Sequence, residues 1–172
     1  MFELQPTLQN ERIRIEPLKS TDFEMLYSVA SDPLIWEQHP NKDRYKREVF
    51  EVFFKGALES GGAFLVINKQ LNKPIGSSRF YDIDEINHSI TIGYTFLARD
   101  HWGGHYNKAL KTLMMNHAFT QFQKVIFHIG ANNIRSQKSM ERLGGKKSAE
   151  IAVAYYGEPS KLNFVYEIEK PI

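Results

Sequence analysis

Apolar and polar side chains alternate in Arg12-Ile13-Arg14-Ile15-Glu16-Pro17 until a proline stops the run, the pattern of a half-buried strand. Ser20-Thr21-Asp22 then offers helix caps, and Phe23, Leu26, Tyr27 and Ala30 recur at helical spacing. A second helix is predicted from about Tyr45 to Glu59, with Val49, Val52, Phe53 and Gly56 on one face and Gly61-Gly62 ending it. The period then shortens to two. Ala63 to Ile67, Ile75 to Tyr81 and His88 to Leu97 read as a meander of strands separated by Asn, Asp, Lys and Pro turn signals. In the last of them Ile90, Ile92, Tyr94 and Phe96 are expected on one side, and Ser89, Thr91, Gly93 and Thr95 on the other.

Helical spacing returns from Asn107 to about Gln121, carried by Leu110, Leu113, Met114 and Ala118. Val125 to Ile129 is apolar on both parities, which predicts a central strand covered on both faces. Asn133 is suited to cap a last helix bearing Ile134, Met140 and Leu143, which Gly144-Gly145 terminates. Two closing strands follow, near Ala149 to Tyr156 and Leu162 to Ile168. No internal repeat and no linker-like stretch interrupts this order, so residues 1–172 read as one α/β domain.

Composition narrows the class. With 172 residues, 42% hydrophobic and 13% aromatic, the chain can bury a core of its own. Its 24% charged residues nearly cancel to a net +2, which gives no footprint for nucleic acid. Absence of cysteine removes a disulfide framework, a thiolate zinc site and a cysteine nucleophile together, and fits a reducing cytoplasm. Met1 to Pro6 lacks a basic leader and no apolar run reaches bilayer length, so a cytoplasmic protein without membrane association is expected.

The stretch that carries chemistry runs from Thr91-Ile92-Gly93-Tyr94-Thr95-Phe96-Leu97 through Ala98-Arg99-Asp100-His101 to Trp102-Gly103-Gly104-His105-Tyr106-Asn107-Lys108. A strand, a glycine-bearing loop and a helix start leave N–H groups without intrahelical partners, and phosphate oxygens can fill those bonds. Paired glycines let a phosphate approach the backbone, although the same pair also serves as a plain tight turn. The loop matches neither G-x-x-x-x-G-K-[ST] nor G-x-G-x-x-G, so a nucleoside triphosphate or a dinucleotide loses support.

The ordered set Ile92-Gly93-Tyr94, Trp102-Gly103-Gly104-His105-Tyr106-Asn107, His117-Ala118-Phe119, Asn133-Ile134-Arg135-Ser136 and Met140-Glu141-Arg142-Leu143-Gly144 resembles the GNAT superfamily of acetyl-CoA-dependent acetyltransferases, in particular its RimJ/RimL-like branch. The resemblance spans nearly the whole chain. It implies a mixed, mostly antiparallel twisted sheet of about six to seven strands with about four helices on its two faces, and a V-shaped splay between the fourth and fifth strands. It implies that acetyl-CoA or coenzyme A is held by the loop amides of Trp102, Gly103, Gly104, His105, Tyr106, Asn107 and Lys108 at its pyrophosphate. By the same resemblance Phe96 and Leu97 bond the pantetheine through their backbone, Asn133 and Asn132 bond that arm, and Ser136 lies near the sulfur. Lys108, Lys111, Arg135 and Lys138 are candidates for the adenosine phosphates, or simply solvated cations. The implied reaction is direct acetyl transfer in a ternary complex to a primary amine, a protein N-terminus or a small molecule, with a homodimer left open.

Two positions, one in the loop and one in the last helix, depart from the family in the cofactor-binding motifs. His105 stands where the loop usually has its second glycine, and Met140 stands where many members carry a tyrosine that protonates the thiolate; Ser136 or a water is the leading substitute. Thr91 replaces the glutamate common just before Ile92-Gly93, and Ile151 to Tyr156 offers no carboxylate, so His88, at the opening of the same predicted strand, is the proposed catalytic base, imidazole being the side chain suited to proton transfer near neutrality. His101 and His105 lack a third ligand, and no metal is expected. Trp36, with His39-Pro40, and Tyr155 with Tyr156 are either acceptor-pocket walls or core. Two other readings stay open: a coenzyme A-binding sensor or scaffold with little or no turnover, and a phosphate-ligand protein unrelated to acetyl transfer.

Overall fold

Ile13 and Ile15, the alternating isoleucines, are fully buried in strand β2 (Ile13–Pro17), which the two-residue β1 (Leu8–Gln9) edges. The computed structural model describes residues 1–155 and 157–172. A 3-10 turn at Ser20–Asp22 leads into α1 (Phe23–Ala30), and Asp32 then caps α2 (Pro33–Trp36) by accepting the Leu34 N–H at 3.0 Å. Helix α3 (Arg47–Glu59) ends just before Gly61-Gly62. Its buried face is Phe50, Phe53, Phe54, Gly56 and Ala57: of the predicted face Phe53 and Gly56 are buried, whereas Val49 is half-buried and Val52 exposed, because Phe50 and Phe54 fill the core in their place. Burying each such ring is worth about 1.5–3 kcal/mol.

The meander follows as β3 (Ala63–Asn68), β4 (Lys73–Asp84) and β5 (Ser89–Leu97). After a 3-10 turn at Arg99–His101 come α4 (Tyr106–Ala118), β6 (Lys124–Gly130), α5 (Ile134–Arg142), β7 (Lys146–Ala154) and β8 (Ser160–Glu169). All eight strands join one sheet in the order β1-β2-β3-β4-β5-β6-β8-β7, and every neighbouring pair is antiparallel except β5 with β6. The described residues thus hold eight strands and five α-helices. The surplus over the expected count lies in elements such as β1 and α2, too short to show a period.

Two cores flank the sheet. On one face α1, α2 and α3 pack Leu26, Trp36, Phe50 and Phe53 against Leu65 and Phe96; on the other α4 and α5 pack Leu110, Met114 and Met140 against Ile92, Val125 and Phe127. Trp36 belongs to the first core, fully buried with its indole N–H donated to the Ala30 carbonyl at 2.7 Å.

The predicted alternation of β5 fails at its centre. From Gly93 to Phe96 the strand takes three steps while its β4 partners take two, from Arg79 to Ser77, so β5 carries one extra residue. Tyr94 sits in this bulge at φ +52°. The parity then inverts: Ile90 and Ile92 face α4, whereas Phe96 faces α3 and Leu97 returns to the α4 side.

Gly76 lies beside this stretch, and a Cβ there would come within 2.0 Å of the Phe96 carbonyl oxygen. Gly76→Ala must push β5 off β4, and we expect it to cost about 2 kcal/mol or more, read as a lowered urea midpoint at unchanged slope.

Candidate active site in the splay between β5 and β6

Strands β5 and β6 pair only at their starts, Ser89 with Lys124, Ile90 with Val125 and Thr91 with Ile126. Beyond Thr91 they part, and a cleft of about 530 Å³ is lined by residues 92–97 of one strand and 127–130 of the other. Its further walls come from the loop before α4, from α4 and α5, from the segment after α2, and from Tyr155.

The loop before α4 leaves main-chain donors free. Gly103 has φ +70° and His105, the N-cap of α4, has φ +71°, so the histidine adopts the left-handed conformation that a glycine would hold at less cost. Among the described residues, the N–H groups of Gly103, Gly104 and His105 and of the first helical turn find no acceptor; the first helical bond is Ala109 N–H to the His105 carbonyl at 2.8 Å. Asn68, buried at the end of β3, fixes the loop by donating to His101 Nε2 at 3.0 Å and to the Tyr106 hydroxyl at 3.1 Å. His101 Nδ1 meets Asp100 at 2.6 Å, so both of its ring nitrogens are engaged. The Trp102 indole donates to the Leu97 carbonyl at 2.9 Å, and the Arg135 guanidinium stacks 3.9 Å above that indole.

Of the residues singled out by sequence, Phe96, Leu97, Trp102, Gly103, His105, Asn107, Lys108, Asn133 and Ser136 line this cleft together. Gly104 and Tyr106 belong to the loop and helix start without lining it, and Asn132 is exposed beside it. Asn133 also caps α5, accepting the Ser136 N–H at 3.1 Å. Asn107 ties α4 to α5 by donating to Ser139 Oγ at 2.7 Å.

His88 requires correction. It lies exposed in the turn before β5, at the closed end of the splay, and borders a separate hollow with Glu85, Gln121 and Phe122. Its carbonyl receives Gln123 and Lys124 N–H groups at 2.8 and 3.2 Å, so this residue joins β5 to β6 far from the open end of the cleft. Thr91 is buried between Tyr81 and Ile126 in the paired part of the sheet and does not line the cleft. Tyr155 is a cleft wall whose hydroxyl donates to Asn163 Oδ1 at 2.7 Å, and Tyr156 lies outside the described residues.

Sequence reasoning missed the groups between the strands. Lys111 is not a rim cation: it is buried, it donates to Thr95 Oγ1, and its Nζ lies 5.5 Å from the Phe127 ring centre. Burial pushes this ammonium down to about 7. Lys138 stays exposed and outside the cleft. His128, read only as part of an apolar strand, lines the cleft with Nδ1 3.3 Å from the Tyr81 hydroxyl. Arg44 lines it too, nearly enclosed and paired with Glu158 at 2.9 Å. An alternation signal could have placed His128 opposite Phe127 and Ile129; nothing in the sequence marks Lys111 as buried.

Residues 12–146 match the family model described as the acetyltransferase (GNAT) domain. An uncharacterised N-acetyltransferase of Bacillus licheniformis, p20, is 26% identical over 148 residues, covering 82% of this chain and 83% of its own. The structure of a GCN5-related N-acetyltransferase from Brucella melitensis superimposes with a TM-score of 0.80 at 18% identity, over 96% of this chain and 79% of that one. Spermidine N-acetyltransferase from Vibrio cholerae, in complex with CoA and spermine, gives a TM-score of 0.67 at 16% identity, over 91% of this chain and 95% of that one.

Two stability tests follow from the geometry. His105→Gly should raise the unfolding free energy by about 0.5–1 kcal/mol, since left-handed backbone is strained with a Cβ and glycine returns part of the gain as entropy. Lys111 has a folded-state value of about 7 against an ordinary 10.5, so the folded chain holds fewer protons between these values. Its destabilisation is therefore full below pH 7 and relieved as pH rises towards 10.5. Lys111→Met should melt higher than the parent at pH 6–7, with the difference shrinking towards pH 10, as scanning calorimetry would read.

Proposed function

The chain belongs to the acetyltransferase (GNAT) family, and from that premise we propose that it moves acetyl from acetyl-CoA to the primary amine of a monoamine acceptor, a protein N-terminus or a small molecule, by direct attack. As a member of that family it is an acyltransferase. The observation that carries the proposal is the array of free loop N–H groups opening onto a strand gap lined by cations. Amide donors, Lys108 and Arg142 suit a diphosphate and further phosphates, while Phe96, Leu97 and Asn133 border the narrow part where a pantetheine arm fits. Motifs from Trp102 to Asn107 and from Asn133 to Gly144 support the RimJ/RimL-like branch. Residues 1–172 are read as one such domain, and the absence of cysteine supports a cytoplasmic setting.

When bound, acetyl-CoA supplies an activated acetyl thioester. Backbone N–H groups of the β5 bulge, where Tyr94 and Thr95 fall outside the β4 register, are the donors available to the carbonyl oxygen as charge builds on it. Met140 has no proton to give the departing sulfur, whereas Ser136 and Lys111 both line the cleft and carry one. Direct attack needs no covalent enzyme intermediate, in keeping with a chain that lacks cysteine.

The acceptor class follows from charge. Among the described residues no Asp or Glu lines the cleft, while Arg44, Lys108, Lys111, Arg135 and Arg142 do. A second ammonium on the acceptor would meet no counter-charge there. Met140 also favours a second reading, a coenzyme A-binding sensor with little turnover.

Coenzyme A at a hundredfold over its dissociation constant should stabilise the fold by about 2.7 kcal/mol in a thermal-shift assay, and Asn133→Ala should weaken that binding. Free-thiol release from acetyl-CoA, compared across peptides with free N-termini, amino acids, aminoglycosides and polyamines, should show peptides or other monoamines at least about tenfold ahead of spermidine in kcat/KM, since one unmatched charge costs about 1.4 kcal/mol or more. Binding without thiol release on any acceptor establishes the sensor instead.

A further inference from the structure

An amine at neutral pH arrives as an ammonium, so the site must remove a proton, and no carboxylate among the described residues lines the cleft to do so. The imidazoles that line it differ in what they have free. His101 has both ring nitrogens engaged. His105 sits exposed in the phosphate-type loop. His39 packs edge-on against Trp36, and burial together with Arg44 and Arg135 pushes it down to about 3, too weak a base to hold a proton near neutrality.

His128 is different in place and partner. On β6, Phe127 and Ile129 point into the α4-side core, so His128 faces the opposite side, the one walled by Pro40, Arg44, Tyr94 and Tyr155. Nδ1 and the Tyr81 hydroxyl lie 3.3 Å apart, and in the tautomer whose Nδ1–H is donated to that hydroxyl Nε2 carries the free lone pair, with no partner among the described residues. Tyr81 belongs to β4, and β5 lies between β4 and β6. Its ring reaches His128 only because the intervening residue is Gly93: a Cβ at that position would stand 2.9 Å from the tyrosine Cε1 and Oη. The glycine of Ile92-Gly93-Tyr94 thus has a task apart from the strand itself, clearing a path for one side chain.

On the acetyl-transfer reading given above, we infer that His128 Nε2 is the proton acceptor for the incoming amine and that Tyr81, crossing Gly93, is its positioning residue. The ammonium gives one proton to Nε2, which passes it to water. The freed nitrogen lone pair forms the N–C bond as the C–S bond breaks, and the second proton this nitrogen sheds ends on sulfur.

The surrounding charges permit the role. Burial lowers His128 from its ordinary value, and Asp82 on β4 opposes that in part, so the ring is neutral and able to accept at physiological pH. Burial keeps Tyr81 protonated, its hydroxyl raised well above the ordinary value. Tyr94 of β5 and Arg79 of β4 stack on each other at 3.8 Å, Arg44 is paired with Glu158, and Tyr155 bonds Asn163. Further along the same face of β6 and β8, Lys124 and Glu167 pair at 3.1 Å.

The test compares the parent with His128→Gln, Tyr81→Phe and Lys111→Met, using acetyl-CoA and whichever acceptor of the four-class panel the parent turns over fastest. We expect His128→Gln to lose about a hundredfold or more in kcat/KM for the amine and to lose its acidic limb, with coenzyme A thermal shift unchanged. Tyr81→Phe should lose less and move that limb. Independently of turnover, NMR titration of the His128 ring in the free protein should give a value below the ordinary one that moves in Tyr81→Phe. Retention of rate and limb in His128→Gln, or their loss only in Lys111→Met, overturns the inference while leaving acetyl transfer standing. A parent that binds coenzyme A but acetylates nothing in the panel overturns both.

Discussion

One extra residue in β5 governs the site. From Thr91 to Gly93 the strand follows its β4 partners step for step, and the residue inserted before Phe96, with Tyr94 at positive φ, reverses which face each later side chain meets. Bulges bend and twist the strand that carries them. Parallel pairing with β6 has already ended at Thr91, so the bent half of β5 runs beside a gap that no backbone fills. Thr95 thereby reaches Lys111 on the α4 side, Tyr94 stacks under Arg79 on the other, and the end of the strand presents Leu97 to the Trp102 indole. Neither the phosphate-type loop nor the histidine wall would be aimed into one cleft without that bend.

The gap is held open from both faces by side chains that are costly to bury. Lys111 plugs it from α4 with a single hydroxyl partner and the face of Phe127, and Arg44 closes the other side between Trp36, Phe53 and Tyr155. A buried ammonium with so little compensation is tolerated where something else is gained. On the proposed function the gain is a positive interior suited to an anionic ligand and unfavourable to a polycation, which sets specificity against stability at one lysine.

Much of this fold was legible because its long elements have clear periods. The isoleucines of β2, the meander, the start of α4 and the Asn133 cap all leave local signals, and the ordered motifs brought nine of the expected ligand-binding positions to one cleft. What stayed hidden has physical causes. A bulge does not change composition, so the alternation of Ile90, Ile92, Tyr94 and Phe96 read straight through the reversal. Val125 to Ile129 looked like a strand covered on both sides, because a ligand cleft on one face spares enough apolar side chains to imitate a core. His88 attracted attention as the opening residue of the predicted strand, but it falls in the turn before β5, and a predicted strand says nothing about which end of a V a residue occupies.

The cleft's charge also explains why a carboxylate base would serve poorly here. An Asp or Glu set among Arg44, Lys111 and Arg135 would be drawn into ion pairs, which favour its charged form and lower its affinity for a proton. An imidazole in the same surroundings is pushed down the titration scale as well, but from an ordinary value near neutrality, so it keeps more affinity for a proton than a carboxylate would, and its neutral ring is the form that can accept. Burial acts on His128 in that direction, and the Tyr81 hydroxyl holds the ring without adding a charge. Thr91 lies sealed in the paired part of the sheet, so for the proposed transfer a proton acceptor is to be sought among the neutral groups that the open half of the V exposes.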